Sequence, residues 1–93
     1  MTFMIIERFY PERVRDLYLR LDQSGRILTP GVSFISSWIN EDVTTCYQVM
    51  EAESISQIRE WAGQWQEYAE FEIIPVIDSP TAKARALNRP YPS

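Results

Sequence analysis

The stretch Val32–Ala52, VSFISSWINEDVTTCYQVMEA, contains two runs rich in β-branched and aromatic residues on either side of a short polar segment. Runs of this kind predict strands over residues 32–40 and 43–52, and Asn40-Glu41-Asp42 fits the connection of a hairpin. Simple alternation places one set of side chains of the first run on a common face: Val32, Phe34, Ser36 and Trp38. The inward face of the second run stays open between two sets, Tyr47, Val49 and Glu51 or Cys46, Gln48 and Met50.

A strand and a helix precede this hairpin. Thr2–Phe9 holds four consecutive apolar residues, which is typical of a strand that is buried on both faces. Pro11 suits the first turn of a helix, where its missing N–H group costs no hydrogen bond. Apolar residues at helical spacing then predict a helix near residues 11–22 with one buried stripe: Val14, Leu17, Tyr18 and Leu21.

A second helix and a last strand follow the hairpin. Ser54 and Gln57 have the spacing of a capping box, which satisfies free N–H groups at a helix start, so we predict a helix over residues 54–68. Residues 70–77 are rich in isoleucine and predict the final strand. Pro75 lies near the end of that strand, and a proline there indicates an edge position because it donates no hydrogen bond to a neighbour.

The predicted order of elements is therefore β-α-β-β-α-β. This order is typical of a ferredoxin-like α+β domain, a four-stranded antiparallel sheet with two helices on one face. A chain of 93 residues suits one such domain. We assign the domain to residues 1–78 and predict a basic, proline-containing C-terminal tail over residues 79–93, with one or two helical turns at most.

Both faces of the predicted sheet are apolar. Two helices cover one face, and the other face is polar when an antiparallel sheet of this kind belongs to a monomer. In the first strand, however, Phe3 and Ile5 alternate with Met4 and Ile6. An exposed apolar face of that size requires a cover, and closed two-fold dimers are the commonest oligomers. The sequence therefore predicts a homodimer in which two sheets form a dimeric α/β barrel.

Composition excludes several classes of chemistry. The chain has no histidine, which excludes Ser-His-Asp and Cys-His catalytic groups and histidine-ligated metal sites. The single cysteine, Cys46, cannot form an internal disulfide and is expected to be a small core residue. Because the sequence contains no nucleotide-binding or Ca²⁺-loop motif, we predict no metal and no cofactor.

Charge and hydropathy indicate where the protein acts. Residues 1–78 carry all 13 acidic residues and six of the nine basic ones, a net charge of −7. An acidic body repels phosphate backbones, so we predict no nucleic-acid partner. The apolar run at the N-terminus is too short for a signal peptide, and no stretch approaches the length of a membrane span. We therefore expect no membrane association and a cytoplasmic location.

An ordered set of short motifs carries a family resemblance. The motifs are Gly25-Arg26, Leu28, Pro30-Gly31, Ser37-Trp38, CYQVME over residues 46–51, Trp61-x-x-x-Trp65 and FEIIPV over residues 71–76. Together they resemble a small uncharacterised bacterial domain family of the dimeric α/β-barrel type, over residues 3–80. The resemblance implies the fold and the dimer but no activity. The wider fold group includes muconolactone-isomerase-like, heme-degrading and quinol-oxygenating members that often depend on histidine, so their chemistry does not transfer to this chain.

Two carboxylates are candidates for acid–base chemistry. Glu7 lies inside the apolar first strand, and Glu72 alternates with apolar residues in the last strand. A buried carboxyl without a partner takes up a proton or serves as a general base. If both carboxyls lay on one sheet face, each would shift the pKa of the other in the way that acid–base catalysis requires. The alternative is that Arg8 or Arg26 holds them in salt bridges.

Three further residues are candidates for ligand binding. Trp38, Tyr47 and Glu51 lie on the predicted hairpin, and aromatic rings that carry a polar group suit the wall of a ligand site. Trp61 and Trp65 are four residues apart on the predicted second helix, and we expect them to pack against the sheet as core residues.

Three functions are consistent with these residues. The first is the binding of a small apolar or aromatic molecule in a barrel cavity between two facing sheets. The second is a cofactor-free enzyme, isomerase-like or oxygenase-like, with Glu7 or Glu72 as the base near Trp38 and Tyr47. The third is a structural or interaction role without a ligand. An open cavity with a buried carboxyl in the barrel interior would favour the first two, and a solid barrel interior would favour the third.

Overall fold

The computed structural model describes residues 1–88, which form four strands and three helices. The elements follow in this order: β1 Thr2–Phe9, α1 Val14–Ser24, β2 Ser33–Ile39, β3 Thr45–Glu51, α2 Ile55–Gly63, β4 Ala69–Val76 and α3 Ser79–Ala86. A short 3₁₀ turn, Pro11–Arg13, leads into α1 and has Pro11 at its start, as the sequence indicates. Residues 89–93, the end of the predicted basic tail, lie outside the described residues.

The strands form one antiparallel sheet in the order β2-β3-β1-β4. The first strand pairs with the third and the fourth, while the second pairs with the third. This is the connectivity of a ferredoxin-like domain. The prediction of an α+β domain with a four-stranded antiparallel sheet is confirmed. β4 lies at an edge, where Pro75 needs no partner for its missing N–H group.

The core lies between one face of the sheet and the helices α1 and α2. This helix-covered face consists of the alternate strand residues that point towards the helices: Phe3, Ile5, Glu7 and Phe9 of β1, Cys46, Gln48 and Met50 of β3, Phe34, Ser37 and Ile39 of β2, and Ala69, Phe71 and Ile73 of β4. Leu17 of α1 and Ile58 and Trp61 of α2 belong to the same buried cluster. Each fully buried side chain of this size contributes roughly 1.5–3 kcal/mol, so this face stabilises the fold.

The opposite side of the sheet, the open face, holds the other alternating set. Its apolar members are Met4, Ile6, Trp38, Tyr47, Val49, Ile74 and Val76. All of them are half-buried or exposed in a single chain, and Trp38 is 74% exposed. The predicted apolar character of both faces is therefore present in β1, β3 and β4.

A bulge in β2 changes the faces that the sequence predicted for this strand. Phe34 pairs with Met50, but Ser36 pairs with the next residue of β3, Val49, so Ile35 is an extra residue between them. An extra residue shifts the alternation of every position that follows it. The prediction that Phe34 and Trp38 share a face was therefore wrong, because Phe34 lies on the helix-covered face and Trp38 on the open face.

The second helix begins where the sequence predicted and ends earlier. Its capping box is present, and the Gln57 side chain accepts a hydrogen bond from the backbone N–H of Ser54 at 3.3 Å. The helix ends at Gly63, because glycine is a poor helix former and the following N–H groups bond to carbonyls three residues back. Trp61 and Trp65 are both buried, so their prediction as core residues is confirmed.

The fold prediction counted two helices, and the structure adds a third. α3 begins after Asp78, whose side chain accepts a hydrogen bond from the backbone N–H of Thr81 at 2.9 Å. Pro80 occupies its first turn, and Ala84 is buried. The predicted tail thus starts with two ordered helical turns, which its small alanine residues favour.

Candidate functional site

A cavity of about 100 Å³ lies between the helix-covered face and the two long helices, and it is partly open to solvent. Its lining is mostly apolar and aromatic: Phe9, Leu17, Tyr18, Leu21, Ile39, Cys46, Trp61 and Trp65. Four polar residues complete the lining: Glu7, Arg26, Ser37 and Gln48. We call these four side chains the polar corner of the cavity. This cavity lies on the helix side of the sheet and not between two facing sheets, so it does not test the prediction of a cavity inside a barrel.

Glu7 reaches this cavity because of strict alternation in β1. It follows Ile5 and precedes Phe9 on the helix-covered face, and it lies opposite Cys46 on one side and Phe71 on the other. Only 6% of its surface is exposed. Burial raises the pKa of the Glu7 carboxyl above its ordinary value of 4.5, while hydrogen bonds from Cys46 and Gln48 and the charge of Arg26 oppose that rise.

Gln48 is the second buried polar side chain among the described residues, and it is 5% exposed. Its amide Nε2 donates a hydrogen bond to Oε2 of Glu7. Its amide oxygen, Oε1, is fully buried and accepts no hydrogen bond from any described residue. A buried acceptor without a hydrogen bond lowers the free energy of unfolding by about 1–3 kcal/mol. The fold tolerates this loss at a residue that lines the cavity.

Arg26 is held at the cavity by the loop after α1. The backbone carbonyl of Arg26 accepts hydrogen bonds from the indole N–H groups of Trp61 at 2.9 Å and Trp65 at 3.2 Å. The next residue, Ile27, has a φ of 53°, which is strained for a β-branched residue. The Arg26 guanidinium lies 3.5 Å from the centre of the Phe34 ring and donates to the Ser37 hydroxyl at 3.2 Å. The loop therefore places a cation at one end of the cavity.

Cys46 and Tyr18 line the cavity as neutral groups. Burial and the neighbouring Glu7 raise the pKa of the Cys46 thiol to about 12, so the reactive thiolate is not formed near neutral pH. Burial also raises the pKa of the Tyr18 hydroxyl. The expectation that Cys46 is a buried core residue is confirmed. The chemistry open to this cavity is therefore the binding of a small molecule or proton transfer by Glu7, rather than nucleophilic attack by sulfur.

Of the residues predicted from the sequence, Glu7 is the one that lines the cavity. Glu72 lies opposite Ile6 on the open face and forms an exposed ion pair with Arg8 at 2.9 Å. The structure thus separates Glu7 and Glu72, and the possibility that the two carboxyls meet on one face was wrong. The physical reason is their register: Glu7 pairs with Phe71, so that Glu72 is one position out of step.

The three candidate ligand-binding residues also lie on the open face. Trp38 and Tyr47 are direct partners across β2 and β3, and Tyr47 is 43% exposed. Glu51 lies at the end of β3, where its carboxylate accepts a hydrogen bond from the Thr2 hydroxyl. The sheet therefore separates all three from the cavity, and a role for them requires a partner or ligand on the open face.

Ser37 and Gln48, two of the four residues of the polar corner, were not identified as site residues from the sequence. Gln48 belonged to one of two alternating sets in β3 between which the sequence did not decide, and Ser37 entered only as part of the motif Ser37-Trp38. A signal was available for Gln48: on the set with Cys46 and Met50 it is a polar residue between two small or apolar ones. If that set faces the core, Gln48 is buried, and a buried polar group needs hydrogen-bond partners.

Among residues 1–88, no group of three or more cysteine, aspartate or glutamate side chains is placed to hold a metal ion. No helix in this part of the chain is long and apolar enough to cross a membrane.

Fold and site together define a small α+β domain with a ferredoxin-like sheet and a cavity beneath its helices. The chain belongs to the family described as a domain of unknown function, DUF3303, whose model matches residues 1–88. No curated protein and no solved structure matches the chain. The family assignment therefore supplies no function, and the function is argued from the site.

Proposed function

We propose that this domain binds a small apolar or aromatic molecule in the helix-side cavity, with Glu7 as the polar anchor. An enclosed apolar cavity of about 150 Å³ holds a benzene ring. A cavity of about 100 Å³ that opens to solvent accommodates a ring that protrudes from its mouth. Aromatic walls with a few convergent polar groups are the usual make-up of small-molecule sites.

The observation that carries this proposal is the buried Glu7 carboxyl at a cavity wall. Glu7 has no salt-bridge partner within 4 Å among the described residues, and its neighbours Gln48 and Cys46 are neutral donors. A carboxyl in such a place destabilises the fold when it ionises, whereas an apolar residue there would not. Retention of a costly group at a cavity is typical of a functional site.

The experiment uses fluorobenzene as the probe and follows its ¹⁹F line width as protein is added. We expect broadening with the native chain and its loss in Ser37→Phe, which fills the cavity. Ser36→Phe is the matched control, because Ser36 lies on the open face of the same strand. Equal broadening by the native chain and by Ser37→Phe would contradict the proposal.

A second candidate function, a cofactor-free enzyme with Glu7 as general base, is favoured by the raised pKa of that carboxyl. A base is most effective when its pKa lies near the working pH. The probe is 5-nitrobenzisoxazole, which loses its C3–H proton to a base as the N–O bond breaks, so that a nitrile and a phenolate form in one step. We expect turnover above the buffer rate that disappears in Glu7→Gln. Turnover that persists in this variant would show that Glu7 is not the base.

We further propose that the open face packs on a second copy of the chain to form a dimeric barrel. Seven apolar side chains of this face are half-buried or exposed in the single chain, and two of them are aromatic. Exposed apolar patches on monomers rarely exceed a few hundred Å². A two-fold partner would cover all seven at once, since the same face of both copies would meet.

A further inference from the structure

The polar corner combines residues from three strands and one loop. Ser37 and Gln48 are direct partners across β2 and β3, and Glu7 is the diagonal neighbour of Gln48 on β1. Arg26 approaches from the loop after α1 and donates to Ser37. These four side chains therefore occupy one end of the cavity, and the remaining wall is mostly hydrocarbon.

One buried polar atom of the polar corner has no hydrogen-bond partner among the described residues. Gln48 uses its amide Nε2 on Glu7, while its Oε1 receives no hydrogen from any described residue. The Ser37 hydroxyl oxygen accepts from Arg26. The buried atom that still lacks a partner is an acceptor, and a ligand that brings an O–H or N–H group would satisfy it.

Charge in the corner also restricts the ligand. An anion would lose its hydration shell among apolar walls, and it would repel the Glu7 carboxyl whenever that group is ionised. It would also meet the oxygen of Gln48 with an oxygen of its own. A cation would lose its hydration shell among apolar walls, and burial already disfavours the ionised form of Glu7. An uncharged ligand avoids both costs.

We infer that the cavity selects uncharged aromatic ligands that carry a hydrogen-bond donor, and that Gln48 with Glu7 recognises this donor. The inference rests on the proposed binding function and adds the chemistry of the ligand to it. Gln48 acts here as a specificity-determining residue, because an apolar ligand of the same shape fills the cavity without satisfying its oxygen.

The test compares phenol with toluene. The two molecules have a similar shape, and phenol carries an O–H group where toluene carries a methyl group. Both compete with fluorobenzene for the native chain and for Gln48→Met, which keeps the length of the side chain and removes the amide. We expect the preference for phenol over toluene to fall about tenfold in Gln48→Met, the effect of about one hydrogen bond. Gln23→Met on the exposed side of α1 is the matched control.

A second measurement needs no variant. In the native chain, the side-chain amide resonances of Gln48 should shift when phenol is added and shift much less with toluene. An unchanged preference in Gln48→Met, or equal shifts with both ligands, would overturn the inference while leaving the binding function intact. Benzoate that binds more tightly than phenol would also overturn it, because Arg26 would then select the ligand. If neither phenol nor toluene binds, the proposed function itself fails.

Discussion

The two faces of the sheet differ from those of an ordinary monomer, because the covered face contains buried polar side chains and the open face contains exposed aromatic ones. The helix-covered face keeps Phe3 and Ile5 fully buried, yet it also encloses a carboxyl and an amide, Glu7 and Gln48. The open face carries Trp38, 74% exposed, and its neighbour Tyr47. A monomer under selection for stability alone would place the polar pair outside and the aromatic pair inside. Under the two proposals above, the helix-covered face would bind a ligand and the open face would pack on a second copy of the chain.

Two neighbouring isoleucines of β1 point to opposite faces, and shortening each of them distinguishes the two faces. Ile5→Ala removes a fully buried side chain from the helix-covered face and should lower the free energy of unfolding by about 2–5 kcal/mol. Ile6→Ala removes the same atoms from the open face, where the side chain is half-buried. Urea denaturation of both variants measures the difference.

The loss in Ile6→Ala should be smaller. It should also depend on protein concentration if the open face packs on a second copy, because that copy would then supply part of the burial. Equal losses at all concentrations would show that the two faces are covered to the same extent within one chain.

The next effect is on assembly. We expect light scattering at low micromolar concentration to give about 22 kDa, twice the 10.9 kDa chain. Met4→Lys places a charge at the centre of the open face and should return the protein to the mass of one chain. Leu19→Lys is the control, because Leu19 is an exposed apolar residue on α1. A measured mass of about 10.9 kDa for the native chain would contradict the proposed dimer.

A smaller effect concerns the polar pair under the helices. The pKa of Glu7 is raised in the folded chain, mainly by burial, so the folded state holds this proton to a higher pH than the unfolded state does. Its contribution to stability is therefore present below the ordinary pKa of 4.5 and is lost as the pH rises through the folded pKa.

Glu7→Gln removes this dependence. We expect the variant to equal the native chain at about pH 4 and to be more stable by about 1 kcal/mol at about pH 8. Urea denaturation across this range measures the difference. A constant difference at every pH would show that Glu7 does not titrate in the cavity.

The same two faces show how far the sequence could be interpreted. Alternation separated the two sets of side chains in β1 correctly, because this strand has an uninterrupted period of two. It failed in β2, where the bulge at Ile35 leaves no mark in a sequence of β-branched and aromatic residues. It left β3 undecided, because both sets contain large apolar side chains and one includes Gln48. The cavity itself depends on how α1 and the Arg26 loop pack over the sheet, which is a tertiary property.

The smallest expected effect is at the rim of the open face. Glu72 forms an exposed ion pair with Arg8, and exposed pairs are screened by water and contribute little. Glu72→Gln should therefore leave the midpoint of urea denaturation nearly unchanged, which makes it the matched control for Glu7→Gln on the opposite face. If Glu72→Gln instead destabilises the protein only at concentrations where it assembles, the ion pair lies within the contact between two copies. The contact between the two copies would then include Glu72 of β4. The open face would in that case be exposed only in the separated chain.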